Sequence, residues 1–287
     1  MSKLYYRINN RLSKVIIGLI TLLIFSACTK DLSTKIIKRN SDTAKAKTLM
    51  QDMAIAHNIT AWDDLDTYSV SFQDEFFGKL GAASNPYAES KTEFTLVYIP
   101  KSFDGQLQFK SGINKGISWG LQSWKTYVLE QDEINFSENE DILFWIPTYQ
   151  YFIEFPARIQ KATAFDYAGK MEINGKMCDG VMASWNTIKP QREIDQYLIW
   201  LDSETKRIVK LEYTIREVSR LIKGAVYFND YKDYEGIILP SILPVVSPLS
   251  KNKWLHEMQI KDFTRNPVNT QILRPDKMLE VMGDNKD

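Results

Sequence analysis

The chain is poor in the residues that most site chemistry needs. Its 287 residues include two cysteines, Cys28 and Cys178, and two histidines, His57 and His256. Two cysteines cannot build a disulfide framework or a multi-cysteine zinc site. There is no HExxH pair, no GxSxG elbow and no glycine-rich phosphate loop. The acidic groups Asp63, Asp64, Asp66 and Glu138, Glu140, Asp141 lack the alternating ligands and central glycine of a calcium loop. They read as solvated turns or as favourable charges at a helix N-terminus. No cofactor, no metal and no enzymatic activity are expected. An excess of one charge is also missing, with 36 Lys+Arg against 36 Asp+Glu, and a nucleic-acid binder would show a basic stripe. Hydrophobic residues at 44% and charged residues at 25% exclude a disordered chain and a multi-span membrane protein.

What is present begins at the N-terminus. Lys3, Arg7, Arg11 and Lys14 precede an apolar run from Val15 to Phe25, and no acidic residue comes before Asp31. That run suits a signal peptide and is short for a membrane span. Ser26, Ala27 and Cys28 follow. The order resembles the bacterial lipoprotein signal and its lipobox, with Phe25 standing where Leu is usual. The resemblance implies cleavage before Cys28, addition of diacylglycerol and palmitate-type chains there, and an outer-membrane anchor facing the periplasm. An ordinary secretion signal and an uncleaved anchor are the alternatives. Thr29, Lys30 and Asp31 are similar to part of a surface-export signal of Bacteroidota lipoproteins, which makes the cell surface the other location. Each buried methylene contributes about 0.8 kcal/mol, so several chains hold nearly permanently. Cleavage would leave 32 basic against 36 acidic residues, a net charge of −4. Residues 1–27 thus read as signal peptide, 28–40 as a polar tether and 41–287 as a single β-rich domain.

Ser41 or Asp42 can cap a helix reaching His57, with Leu49, Met53 and Ala56 on one face. From Trp62 the apolar period changes to two. Tyr68, Val70, Phe72 and Phe76 alternate with polar residues, as do Phe94, Leu96 and Tyr98. Leu107 and Phe109, then Ile117, Trp119 and Leu121, repeat the pattern. Asp141 to Phe155 reads as a helix bent or restarted at Pro147, with an apolar strand as the rival. Strands are expected at 164–173 and 176–185 around the turn Asn174-Gly175, whose residues tolerate positive φ. Further strands are expected at 221–231 and 254–263, and a short helix in the stretch holding Pro275, Met278, Leu279 and Met282. The fold class expected is α+β, mainly β: a strongly curved, unclosed antiparallel sheet, a half-barrel, around two or three helices.

The segment Tyr197-Leu-Ile-Trp-Leu-Asp-Ser-Glu-Thr-Lys-Arg-Ile-Val-Lys-Leu-Glu-Tyr-Thr214 resembles a hairpin of LolA-like proteins, the periplasmic lipoprotein carrier and receptor superfamily. The opening helix and the Tyr231, Gly236, Leu239-Pro240 stretch are similar to Bacteroidota lipoproteins of that kind, and the order of elements agrees over residues 44–265. The resemblance implies an apolar cavity for acyl chains between sheet and helices. A carrier must be soluble, so the anchor at Cys28 makes the membrane-held receptor the nearer analogue. No arginine of this sequence is matched to the carrier's gating arginine, so the resemblance does not imply cargo transfer residue by residue.

On that reading Trp119, Trp145, Tyr149, Phe152, Trp185 and Trp200 are candidate ligand-binding residues in an aromatic-lined cavity. The same aromatics would also serve as ordinary core. The run from Gly236 to Leu249, broken by Pro240, Pro244 and Pro248, reads as a flap or a membrane-contacting loop, or else as an edge strand and a buried crossing. Cys178 reads as a buried small apolar residue. The expected role is non-catalytic binding of a lipid or acylated-protein cargo in envelope transport or sensing. The alternative is a solid-cored protein-interaction module. A protein partner cannot be named, and nucleic acid is not one.

Overall fold

The computed structural model describes residues 31–32, 41–250 and 253–283. The basic and apolar N-terminal segment and Cys28 lie outside the described residues.

Helix α1 (Thr43–Ala56) starts where the sequence places its cap, with Asp42 accepting from the Lys45 amide at 2.9 Å. It buries Ala46, Leu49, Met50 and Met53, and each large apolar side chain so removed from water contributes roughly 1.5–3 kcal/mol. After it come β1 (Tyr68–Phe76), a short α2 (Gly78–Ser84), β2 (Lys91–Tyr98) and β3 (Gly105–Phe109). Next are β4 (Ser118–Gln122), β5 (Lys125–Glu130) and β6 (Glu133–Phe136). The expected second helix is α3 (Glu140–Ile153), capped by Asn139 and running through Pro147. A short α4 (Phe155–Arg158) follows it. The second half holds β7 (Ala164–Ile173), β8 (Lys176–Ser184), β9 (Tyr197–Asp202) and β10 (Ile208–Thr214). It continues with β11 (Lys223–Tyr227), β12 (Asn229–Tyr234), β13 (Ile237–Val246), β14 (Trp254–Arg265) and α5 (Thr270–Leu273).

The fourteen strands of the described residues form one antiparallel sheet in the order β6-β5-β4-β3-β2-β1-β14-β13-β11-β10-β9-β8-β7, with β12 alongside β13. The two outer strands, β6 and β7, do not pair, so the sheet is an unclosed barrel. Its curvature follows from ring contacts. Tyr149 on α3 lies 5.1 Å from Phe72 of β1, and Tyr151 stacks on Tyr197 of β9 at 5.8 Å. β1 and β9 are five strands apart, about 24 Å in a flat sheet, yet two residues of one helix reach both. The sheet therefore curls around α3, and one contiguous core fills its concave face.

Glycine marks the cross-strand positions. Gly105, Gly120, Gly180 and Gly224 sit opposite Tyr98, Tyr127, Trp200 and Tyr213 in the neighbouring strands. In each pair the ring lies where a glycine side chain would be. A Cβ on Gly120 would come within 2.1 Å of the Tyr127 ring. Bare backbone at these positions leaves room for the opposed ring.

Two expectations are corrected. The proline-rich run is buried, as the crossing reading has it, but over residues 237–246 it is neither flap nor edge. It is the inner strand β13, paired with β14 on one side and with β11 and β12 on the other. Its prolines survive because each has a flank free of ladder bonds. Pro240 pairs with Tyr231 of β12 beyond the reach of the β14 register, and Pro244 pairs with Glu257 opposite the break between β11 and β12. The C-terminal helix lies at Thr270–Leu273, ahead of Pro275, and residues 275–283 are not helical.

Candidate functional site

Helix α3 carries the aromatic interior. Its apolar residues Ile142, Trp145, Ile146, Tyr149 and Ile153 are buried against the concave sheet. The Tyr149 ring contacts Phe72, Phe94 and Trp145 at 5.1 to 5.5 Å. Its hydroxyl shares a 2.8 Å hydrogen bond with that of Tyr87, whose ring lies 5.8 Å from Trp119. Trp119, Tyr149 and Trp145 thus belong to one continuous ring cluster. Phe152 lies a turn further along α3, against Tyr213 at 5.3 Å. Trp185, just past β8, meets Tyr197 at 6.1 Å. Trp200 is on the other face of the sheet. There it packs with Leu32, Cys178, Met182, Leu198 and Val209, and its Nε1 donates to Glu212 at 3.1 Å. The cause is strand parity: along β9, Tyr197, Ile199 and Leu201 face inward, so Leu198 and Trp200 face outward.

Two buried polar groups pin α3 to the sheet. Asp74 of β1 is fully buried and accepts from the Tyr149 hydroxyl at 2.8 Å, while His256 Nδ1 of β14 lies 2.8 Å from its other oxygen. Glu154, 2% exposed, accepts from the Tyr68 hydroxyl, the Gln150 amide and the Lys101 backbone amide, and pairs with Arg158 at 2.9 Å. Burial, with the neighbouring Asp74 charge second, pushes the Tyr149 and Tyr87 hydroxyls well above their usual range, so they stay protonated. None of this was visible in the sequence, since Asp74 and His256 are 182 residues apart. The alternation of β1 offered one signal: Asp74 occupies an inward position between Phe72 and Phe76.

The titratable side chains of the interior are each held in packed surroundings. The His256 ring is stacked on Phe76 at 4.9 Å and edged by Trp145 at 5.7 Å. His57 is held neutral: burial, then the Arg207 charge, lowers it to about 3, and its Nε2 accepts from the Ile208 amide at 3.2 Å. Burial pushes the Cys178 thiol up to about 11, away from reactive thiolate character. Among the described residues no group of three His, Cys, Asp or Glu could hold a metal ion.

An apolar groove lies on the surface beside β1 and β14. Where α2 crosses the start of β14, Phe77, Leu80, Trp254 and Leu255 line a groove of about 450 Å³, together with Lys79 and Lys253. α2 sits tightly there, because a Cβ on Gly81 would fall 2.3 Å from the Leu255 carbonyl oxygen. Trp254 is half exposed and meets Phe77 at 6.4 Å. Phe76, next in the chain, contacts both His256 and Trp145. The groove and the core thus meet at consecutive residues, Phe77 on the groove side and Phe76 on the core side.

No family model matches the sequence, and no curated protein does. Solved structures share the fold. A LolA superfamily protein from Nitrosomonas europaea superposes with a TM-score of 0.51 at 8% identity, over 79% of this chain and 96% of its own. A domain from Vibrio parahaemolyticus named for outer-membrane lipoprotein sorting gives 0.49 at 13% identity, over 81% and 100%. A DUF1329 family protein from Desulfovibrio piger gives 0.48 at 11% identity, over 79% and 96%. The fold is LolA-like: a mainly β, unclosed antiparallel sheet wrapped around helices, as the hairpin at 197–214 implied.

Proposed function

We propose that the protein is an envelope lipoprotein that binds one apolar ligand, a lipid or the acyl chain of a lipoprotein, without transforming it. On this reading residues 1–27 are removed, Cys28 carries the lipid anchor, and one domain from residue 41 onward stands at the outer membrane, on its periplasmic face or at the cell surface. The observation that carries the reading is the apolar groove at Phe77, Leu80, Trp254 and Leu255, beside the aromatic core of Trp145, Tyr149 and Trp119 in a LolA-like sheet. Apolar walls with few fixed polar groups suit an acyl chain. On this reading the acyl chain lies in the groove between α2 and the start of β14.

Native mass spectrometry of the soluble mature domain with Cys28→Ala, followed by solvent extraction and lipid analysis, tests this. A discrete extractable adduct of one lipid per chain is expected. A bare mass that stays bare after incubation with phospholipid and acylated peptide overturns it. That result would favour a protein-interaction module, a second reading supported by the complete burial of Tyr149, Phe155 and Ile146 around α3.

A further inference from the structure

Leu32 is only four residues beyond Cys28, and it is part of the folded domain. It is 5% exposed, packed on the convex face against Trp200, Met182, Cys178 and Val209. Its amide donates to Gln196 Oε1 at 3.1 Å. Gln196 is itself fully buried and donates to the Ile188 carbonyl at 2.8 Å. The same Gln196 oxygen accepts from Arg216 at 3.4 Å, and Arg216 donates to the Arg220 carbonyl at 2.8 Å. Asp31 attracts the Arg216 guanidinium. The docked segment is thus wired to the turn between β10 and β11.

Chain length makes this docking consequential. Four residues span at most about 14 Å, whereas a free tether from Cys28 to Ser41 would span about 45 Å. A free tether leaves a domain able to present any face to the bilayer. Docking at Leu32 holds one face down. The β10–β11 turn, joined to the docked Leu32 through Gln196 and Arg216, exposes two large apolar side chains, Val218 (54%) and Leu221 (51%). The neighbouring loop before β9 exposes Lys189 and Arg192. Apolar tips flanked by long basic side chains suit the interface, where the chain ends insert and the ammonium and guanidinium groups stay at headgroup level. Glu193 and Glu217 are exposed there as well, so apolar contact and the short leash dominate over charge.

We propose that the β10–β11 turn is the membrane-facing surface of the domain, seating Val218 and Leu221 in the lipid headgroup region while Leu32 clamps the leash. This rests on the lipid anchor at Cys28 of the proposed function.

The test uses the full chain, purified from membranes with its anchor and reconstituted into vesicles of phosphatidylethanolamine and phosphatidylglycerol. An environment-sensitive nitrobenzoxadiazole probe is placed on Val218→Cys, on Leu221→Cys, and on Ile113→Cys as the control. Ile113 is 77% exposed in the β3–β4 turn. Cys178 is buried and Cys28 is acylated, so only the introduced thiol reacts. Intact mass reports whether Cys28 is acylated. Acylated protein is expected to show a severalfold rise and blue shift in emission at 218 and 221, with quenching by brominated lipid, and neither at 113. Acylated protein whose 218 and 221 probes match the 113 probe overturns the orientation and leaves the anchor standing. An unacylated Cys28 overturns both.

Discussion

His256 Nδ1 meets the carboxylate of Asp74 at 2.8 Å, inside a shell of aromatic rings and across the pairing of β1 with β14. The pair closes the middle of the sheet. Because the Tyr149 hydroxyl donates to the same carboxylate, it also sets the depth at which α3 sits. Buried polar groups of this kind are costly when broken, since the orphaned partner keeps its desolvation penalty.

Asp74→Ala is expected to lower unfolding stability by about 3 kcal/mol, because Tyr149 and His256 both lose their acceptor. Asp74→Asn retains an acceptor for Tyr149 and should lose less. Urea unfolding of the soluble domain measures both, and equal losses would show that the tyrosine bond contributes nothing.

Acid sensitivity should trace in part to His57. Its folded value is lowered to about 3 from an ordinary 6.5. Between those values the unfolded chain binds a proton that the folded chain refuses. Stability therefore falls as pH drops from about 6.5 toward 3, by up to about 1.4 kcal/mol per pH unit. His57→Gln keeps an acceptor for the Ile208 amide and should flatten this slope relative to the parent chain when unfolding is followed across that range.

Gly120→Ala places a methyl group against the buried Tyr127 ring, which is held by Gln106 at 3.0 Å and cannot swing away freely. A loss of roughly 1–3 kcal/mol is expected from overpacking. Thermal unfolding reads it, and an unchanged midpoint would mean that β4 and β5 can separate at no cost.

Leu32→Ala removes the only apolar side chain that the described N-terminal residues bury on the convex face. A loss of about 2 kcal/mol is expected. A chain starting at Ser41 should be destabilised by at least as much, and differential scanning calorimetry of the two against the soluble parent decides it.

Ligand binding should depend on Trp254. It is half exposed at the groove and has few core duties, so Trp254→Ala is expected to fold normally and to bind lipid about tenfold more weakly, a change of about 1.4 kcal/mol. Titration of the delipidated domain with a fluorescent fatty acid measures this. Unaltered affinity would move the ligand away from the groove.

The local rules of the chain were legible without coordinates. Asp42 caps α1, Asn174-Gly175 turns β7 into β8 with positive φ at both residues, and Asp202 closes the β9–β10 turn by accepting from Glu204 and Thr205. Alternation along β1 and β2 named the inward residues Tyr68, Phe72, Phe94 and Tyr98. Such signals work because propensity, capping and pleat act over a few residues. Tertiary structure alone decided which strands met and which face each aromatic took. It set Trp200 outward while Tyr149 went inward, joined Asp74 to His256, admitted Pro240 and Pro244 to an inner strand and drew Leu32 onto the convex sheet. Each of these depends on partners distant in sequence, and no short window of residues contains the two groups whose contact lowers the free energy.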